Sequence, residues 1–377
     1  MNRVITVAFF ILVLGGAGCV QWLDVADREK DKASGTLLPQ YVLKQKDEKG
    51  LLNKAKSHYR SAVQFRRDLD KFYTQDFVFK DEVFYIYSGI QSNVFKANPI
   101  PDKTVAGIDG WRFLGDSYSN VVKESIGISA FTQEEVDLIV ERLRRKRDWL
   151  KERDIAYYVV MPPNKHTVYQ EYLPIDRTNG LNRREQLDAA LRPTSLNWLD
   201  LSSYLPSDHS PLLYYKTDSH WNHYGAFLGY QAIANRIAKD FPEVTPLAFD
   251  DFKVTTGPFP LGDLTDMLKM ESNETSVYFE PKESNFKKIP SQLPIPDYFT
   301  SYPSNYERRY VCEGKPLKVL VLCDSYNTLL REYLRETFGE TVMLRYSNFD
   351  EDVIEKEAPD IVIRELVERN IERLLTN

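Results

Sequence analysis

The sequence predicts an α/β protein with a parallel central sheet, and three observations carry that prediction. Over the last 65 residues, apolar strand runs alternate with amphipathic helix patterns. That order implies crossover connections between parallel strands. The runs Ile155–Met161 (IAYYVVM) and Leu317–Cys323 (LKVLVLC) are apolar almost throughout, as strands covered on both faces are. A helical stripe of Ala226, Tyr230, Ile233, Ala234, Ile237 and Phe241 supplies a layer to cover one such face.

Taken in order, the chain opens on Val4–Leu23 (VITVAFFILVLGGAGCVQWL), which carries no charge. Twenty residues at about 1.5 Å each can span a hydrocarbon core of about 30 Å. Arg3 lies before the run and Asp24, Asp27, Arg28 and Glu29 after it, so the positive-inside rule sends the remaining chain out of the cytoplasm. The expectation is an N-terminal membrane anchor helix over residues 1–25. A cleaved signal peptide is the alternative, as is a lipoprotein modified at Cys19, where Gly16 stands in place of the usual Leu. Each reading places the bulk of the protein in the periplasm or outside the cell, and no second long apolar run suggests a multi-span transporter.

Residues 26–104 read as a stalk and N-terminal extension, with a strand at Asp81–Ile90 (DEVFYIYSGI). Residues 105–377 read as the main domain. It begins with a turn and short strand over Gly107–Leu114. Thr132 and Glu135 form a capping box for a helix with Val136, Ile139, Val140, Leu143 and Leu150 inward. Its charged run Arg142–Arg147 reads as a solvated face, with polyanion binding as the alternative. After the Ile155–Met161 strand come a helix at Arg183–Leu191, a strand at Leu196–Leu201 and the helix Gly225–Phe241. Residues 242–305 are rich in Pro and poor in periodicity, which predicts an irregular insertion. Beyond the Leu317–Cys323 strand, a helix carries Leu329, Leu330, Tyr333, Leu334 and Phe338 inward, with Gly339 as its C-terminal cap. Strands at Thr341–Tyr346 and Asp360–Ile363 flank a short helix at Ile354–Glu357.

Composition excludes several classes. Of 377 residues, 49 are basic and 55 acidic, a net charge of −6 that offers no whole-chain attraction to nucleic acid. Five His and three Cys are too few for a Cys-rich zinc module or a disulfide scaffold. Cys323 reads as a small buried residue, with a Cys312–Cys323 disulfide as the alternative in an oxidising compartment.

Two constellations can carry chemistry. Cys323-Asp324-Ser325-Tyr326 sits where a buried strand turns into a helix. A Ser there presents its oxygen at the C-terminal edge of the sheet, and its N–H lies where a helix N-terminus favours an oxyanion. A plain Asp/Ser helix cap is the alternative. In Thr217-Asp218-Ser219-His220-Trp221-Asn222-His223, an Asp two residues before a His can hold one imidazole tautomer and leave the other nitrogen to deprotonate a Ser. A structural His, or a zinc set of Asp218, His220 and His223, is the competing reading. Asn164 and Lys165 follow a strand end and Arg345 ends another, so all three are candidate oxyanion or substrate contacts, as is Asn222. Gly115-Asp116-Ser117-Tyr118 spells a second Asp-Ser pair but follows no buried strand, so Ser117 is a decoy.

In order, Gly110–Leu114, Met161–Lys165 with Tyr172-Leu173-Pro174, Thr217–Asn222 with Gly225-Ala226, Cys323–Tyr326, and Pro359–Ile363 with Glu365 and Glu368-Arg369 are similar to the AlgX/AlgJ-type alginate O-acetyltransferases. The resemblance implies an SGNH-hydrolase-like three-layer fold, with Ser325 as nucleophile, His220 as base and Asp218 as its orienter. It implies the permuted order Asp, His, Ser, and the anchored AlgJ kind of architecture without a carbohydrate-binding module. It also implies a periplasmic enzyme held at the inner membrane that acetylates an extracellular polysaccharide, with acetyl delivered by a membrane-bound O-acyltransferase and neither cofactor nor metal. A polysaccharide acetylesterase with the same triad and a non-catalytic glycan-binding scaffold of an export complex are the alternatives.

Overall fold

Apolar strands that alternate their side chains between two covered faces organise most of the chain. The computed structural model describes residues 51–71, 80–95, 97–208, 210–259, 262–345 and 348–376. The apolar segment Val4–Leu23 and Cys19 lie outside them. Among the described residues, no helix is long and apolar enough to cross a membrane. Two compact units form, residues 1–99 with 268–270, and residues 100–267 with 271–377.

The first unit contains helices α1 (Leu51–Lys71) and α2 (Lys80–Asn93). Helix α2 replaces the strand expected over Asp81–Ile90. A strand would place Val83 and Tyr85 on one face, but Val83 is buried and Tyr85 exposed. Short aromatic and β-branched runs fit both periods, and the three-dimensional surroundings decide between them.

In the second unit, β1 (Thr104–Ala106) and β2 (Arg112–Leu114) form a small antiparallel ribbon. Helix α3 (Val121–Ser125) and helix α4 (Gln133–Lys151) follow, and the Thr132–Glu135 capping box opens α4 as its sequence requires. Strand β3 (Ala156–Met161) leads to α5 (Lys165–Val168) and α6 (Arg183–Leu191). Then come β4 (Asn197–Asp200), α7 (His223–Asp240), β5 (Phe252–Phe259), α8 (Asp263–Leu268), β6 (Glu274–Pro281) and β7 (Phe286–Ile289). The chain continues through β8 (Glu307–Cys312), β9 (Lys318–Cys323), α9 (Asn327–Thr337), β10 (Glu340–Arg345), α10 (Glu351–Glu357) and β11 (Ile361–Glu365). A 3-10 helix, Glu368–Leu375, follows β11.

The main sheet has seven strands in the order β4-β3-β11-β9-β10-β8-β7. The five from β4 to β10 are parallel, whereas β8 runs antiparallel to β10 and β7 antiparallel to β8. The sheet is therefore mixed, not parallel throughout. Strand β8 escapes the apolar pattern because it carries Glu307, Arg308 and Arg309. Alternation puts Val319, Val321 and Cys323 of β9 in the core layer of α7 and α9. Leu320 and Leu322 enter the other layer, with α4, α6 and α10. Three layers result.

Two further expectations are corrected. Residues 242–305 are not irregular, since β5 and β6 pair over eight residues. Only Phe252, Ser276 and Phe279 of these strands are fully buried, and Pro258 lies within β5, so they lack the signature of buried strands. Gly339 does not cap α9, whose C-cap is Phe338 in extended backbone. Instead a Cβ on Gly339 would collide with the Lys315 carbonyl. Cys312 and Cys323 are free and buried, which agrees with the reading of Cys323 as a small buried residue and excludes the alternative disulfide. Strand β10 lies between β8 and β9, and two strand spacings of about 4.8 Å exceed what a disulfide bridges. Within the Arg142–Arg147 run, Arg145 pairs with Glu141 and Arg147 with Asp148, in line with a solvated face.

Arg309 holds the antiparallel extension to the helix layer. Its fully buried guanidinium donates to Glu357 twice at 2.7 Å, to Glu307 at 2.9 Å and to Glu340 at 3.1 Å. Burial alone would lower the Arg309 pKa, but these carboxylates raise it instead. Replacing Arg309 by Met takes the guanidinium from two buried carboxylates, leaving Glu357 with Lys318 and Glu307 with the N–H groups of Gln292 and Leu293. Urea denaturation should show a loss of about 3–5 kcal/mol, the range for breaking one side of a buried ion pair. A loss under about 1 kcal/mol would place the cluster with ordinary surface pairs instead.

Candidate active site

The site is assembled from two loops at the C-terminal edge of the parallel strands, the place where open α/β sheets bind ligands. The first is the turn Asp324-Ser325-Tyr326 between β9 and α9. Strand β9 is buried at its end, and Asp324 is locked by four bonds. Its N–H donates to Glu365 (3.1 Å), and its carboxylate accepts from the N–H groups of Tyr326 (3.0 Å) and Val367 (2.9 Å) and from Asn370 Nδ2 (2.8 Å). Ser325 is left half-buried at the tip, just before the positive end of α9.

The second loop, Lys216–Asn222, precedes α7. Asn222 caps that helix by accepting the Gly225 N–H at 3.0 Å. The loop is anchored by Glu274, whose carboxylate accepts the N–H groups of Lys216 and Thr217 at 2.6 and 2.9 Å. Asp218 and His220 lie within a local turn, with Asp218 Oδ1 accepting the His220 N–H at 2.8 Å and facing His220 Nδ1 at 2.7 Å.

Across the gap, Ser325 Oγ is 2.9 Å from His220 Nε2. With the ring proton on Nδ1, His220 donates to Asp218 and accepts from Ser325, so the three expected residues form one continuous relay. Two bonds join the loops directly. Trp221 Nε1–H donates to the Tyr326 carbonyl (3.1 Å), and Tyr326 O–H donates to the Ser219 carbonyl (2.8 Å).

Sequence reading alone missed Asp263, the first residue of α8. It accepts from the Ser219 N–H at 2.7 Å and the Ser219 hydroxyl at 2.5 Å, and its own N–H donates to Asp218 Oδ2 at 2.9 Å. Its carboxylate also lies 3.7 Å from His220 Nδ1. Burial would raise the Asp218 carboxyl, but the bonds from His220 and from the N–H groups of Asp263 and His220 hold it below its ordinary value. Asp263 is raised by burial and by the neighbouring Asp218 charge. The only sequence signal for Asp263 was an acidic residue after Gly262 at the start of a short helical pattern.

A cavity of about 260 Å³ opens on this relay, lined by Tyr215, Phe259, Thr328, Leu329 and Arg345 beside the relay residues. Tyr215 and Phe259 stack at 3.8 Å on its wall. Arg345 is the one candidate contact outside the relay that reaches the cavity. Asn164 is buried elsewhere, its N–H bound to Glu368 at 2.7 Å and its Oδ1 facing Arg369 at 3.4 Å. Lys165 lies beneath the second loop, and the Asn222 side chain serves the helix cap and the Leu212 carbonyl. Ser117 is exposed in the turn before α3, while Asp116 accepts from the N–H groups of Val122 and Lys123. His223 packs against Tyr278 and does not join Asp218 and His220 as the zinc reading requires. Donor atoms of Asp218, His220 and Asp263 do converge within 4.8 Å. Each carboxylate oxygen there already accepts a hydrogen bond.

The fold and this site define an SGNH-hydrolase-like protein. Residues 104–309 match the family model described as the SGNH hydrolase-like domain of the acetyltransferase AlgX, and the chain belongs to this AlgX/AlgJ-type family of acetyltransferases. It is similar to a probable alginate O-acetylase, AlgJ, of Pseudomonas putida, at 25% identity over 289 residues, covering 70% of this chain and 69% of that one. Among solved structures it resembles PatB1 of Bacillus cereus (20% identity, TM-score 0.53), covering 71% of this chain and 96% of that one. It also resembles a DHHW family protein of Eubacterium siraeum (14% identity, TM-score 0.51), covering 73% and 98%. The family match ends before β9, so the Ser325 turn is positioned by the tertiary structure rather than by that match.

Gly225 lets α7 approach the preceding loop, because a Cβ there would collide with the Leu213 carbonyl and press on Trp221. Gly225→Ala should destabilise the protein by about 1–3 kcal/mol, as overpacking does. A thermal midpoint unchanged from wild type would refute this close-approach role.

Proposed function

We propose that the protein is an exported O-acetyltransferase that carries acetyl on Ser325 and passes it to hydroxyls of an extracellular polysaccharide. One observation carries this reading, the continuous Asp218–His220–Ser325 relay with contacts of 2.7 and 2.9 Å at the mouth of a cavity. His220 Nε2 takes the proton of Ser325 as its oxygen attacks the acetyl carbonyl. The Ser325 N–H, at the head of α9, faces the developing oxyanion. The donor group leaves with the proton from His220, and an acetyl ester remains on Ser325. A sugar hydroxyl then gives its proton to His220, attacks the ester and frees Ser325. Asp218, held ionised, stabilises the imidazolium at both steps. The aromatic Tyr215–Phe259 wall suits the apolar faces of a sugar ring, and Arg345 suits an anionic or carbonyl oxygen.

The resemblance to a probable alginate O-acetylase supports a uronate polymer as acceptor. In this reading the apolar segment Val4–Leu23 holds the enzyme at the inner membrane, facing the periplasm. A membrane-bound O-acyltransferase supplies the acetyl group.

The test uses purified protein and p-nitrophenyl acetate, with and without oligosaccharide acceptors. Mass spectrometry should find one acetyl group on Ser325, and acetylated oligosaccharide should accumulate. Ser325→Ala should abolish both, while His220→Ala and Asp218→Asn should lower the rate by roughly 10^4-fold. Hydrolysis with no acetylated acceptor, across neutral and uronate oligosaccharides, would identify an acetylesterase instead. Full cellular polysaccharide acetylation by Ser325→Ala would point to a scaffold.

A further inference from the structure

We propose that Lys165 is a positioning residue whose buried ammonium, bonded to the carbonyl oxygens of Lys216 and Asp218, sets the backbone register that presents His220 to Ser325. This inference rests on the acyl-transfer reading of the same site and adds a residue that touches neither donor nor acceptor.

Lys165 follows β3 and the Pro162-Pro163-Asn164 segment, and only 2% of it is exposed. Its Nζ donates to Lys216 O at 2.9 Å and to Asp218 O at 2.8 Å. The Trp111 and Phe113 rings flank it at 5.2 and 5.4 Å. Among the described residues, no carboxylate forms an ion pair with it, and no other group donates to the Asp218 carbonyl. The Asp218–Ser219 peptide is therefore held at its carbonyl by this ammonium and at its N–H by Asp263 Oδ1 at 2.7 Å. That peptide joins the Asp218 carboxylate to the His220 ring, so its rotation moves both relay contacts together. Misplacement by about 1 Å can lower a rate by about 10²-fold.

A lysine confined among aromatic rings and neutral carbonyls is sensitive to its own charge. Asp218 from the loop, Asp263 from α8 and Glu274 from β6 favour the ammonium, and Arg112 from β2 opposes it. The Lys216 ammonium sits over the same Trp111 ring at 5.6 Å. Burial is the largest influence and brings Lys165 down from the ordinary lysine range to about 7. Its charge-assisted bonds are thus at full strength on the acid side of neutrality and weaken as pH rises through that value. The loop grip becomes an alkaline limb in the activity.

The test compares wild type with Lys165→Met across neutrality, reading Ser325 acetylation by p-nitrophenyl acetate. The expected variant loses about 10- to 100-fold in kcat, changes KM less than about twofold and lacks the alkaline limb. Lysine Cε NMR on the wild type gives a readout independent of turnover. One resonance should titrate near 7, and the His220 Nδ1 proton signal should weaken over the same range. An equal loss of rate at every pH with the limb intact would overturn the proposal, as would titration of Lys165 near 10.4. If the Met variant fails to fold, the wild-type titration still decides, its presence supporting the proposal and its absence overturning it. If wild-type Ser325 never becomes acetylated, the acyl-transfer reading falls, and the NMR titration judges the grip on His220 separately.

Discussion

The reciprocal clasp between Trp221 and Tyr326 is the interaction on which the site depends. The Trp221 indole N–H binds the Tyr326 carbonyl, and the Tyr326 hydroxyl binds the Ser219 carbonyl, joining segments 105 and 107 residues apart. His220 stands between the two clasped residues of its loop, and Ser325 directly precedes Tyr326. Both rings are fully buried, where hydrogen bonds face little competition from water. The 2.9 Å contact between Ser325 and His220 thus follows from backbone positions that neither side chain controls. Arg369 lies over the Tyr326 ring at 5.2 Å and ties the clasp to the segment after β11.

Around the clasp, buried carboxylates divide the work by environment. Asp218 collects the His220 ring and two backbone N–H groups and stays ionised. Asp263, beside it, is raised by burial and by Asp218, so two neighbouring acids are driven apart in proton affinity. Asp324 serves neither acid nor base chemistry. Its four bonds hold the Ser325 turn against the Glu365–Asn370 segment. Glu274 and Lys165 grip the other loop from opposite polarities, one through N–H groups and one through carbonyls. Pre-set donors and acceptors of this kind need little reorganisation when charge develops on a substrate.

How much was legible in the sequence follows from how local each signal is. Strands β3, β9 and β10 announced themselves because both faces are buried, leaving no polar alternation. Helices α4 and α7 announced themselves through caps and an apolar stripe. Strand β8 stayed hidden because Arg309 is buried by pairing with Glu307 and Glu357, and Glu357 arrives from α10, 48 residues later. The β5–β6 ribbon stayed hidden because few of its positions are fully buried. Gly339 was misread for a related reason, since its role is close approach to Lys315 from a different segment. Lys165 and Asn222 brace the second loop from behind instead of lining the cavity, and Asn164 is buried against Glu368 and Arg369.

By itself, the sequence determined the residue types and everything within a few residues of them. It supplied the Ser at a strand-to-helix turn, the Asp two residues before a His, and the apolar runs that become the sheet. Such features follow from short-range geometry, because side chains two to four positions apart meet in any helix or tight turn. Only the tertiary structure decided that Ser325 and His220 meet, that Asp263 joins them, that Lys165 holds their loop, and that the sheet turns antiparallel at β8. Those outcomes depend on which buried polar groups find partners across the packed layers, and chain periodicity carries no record of that pairing.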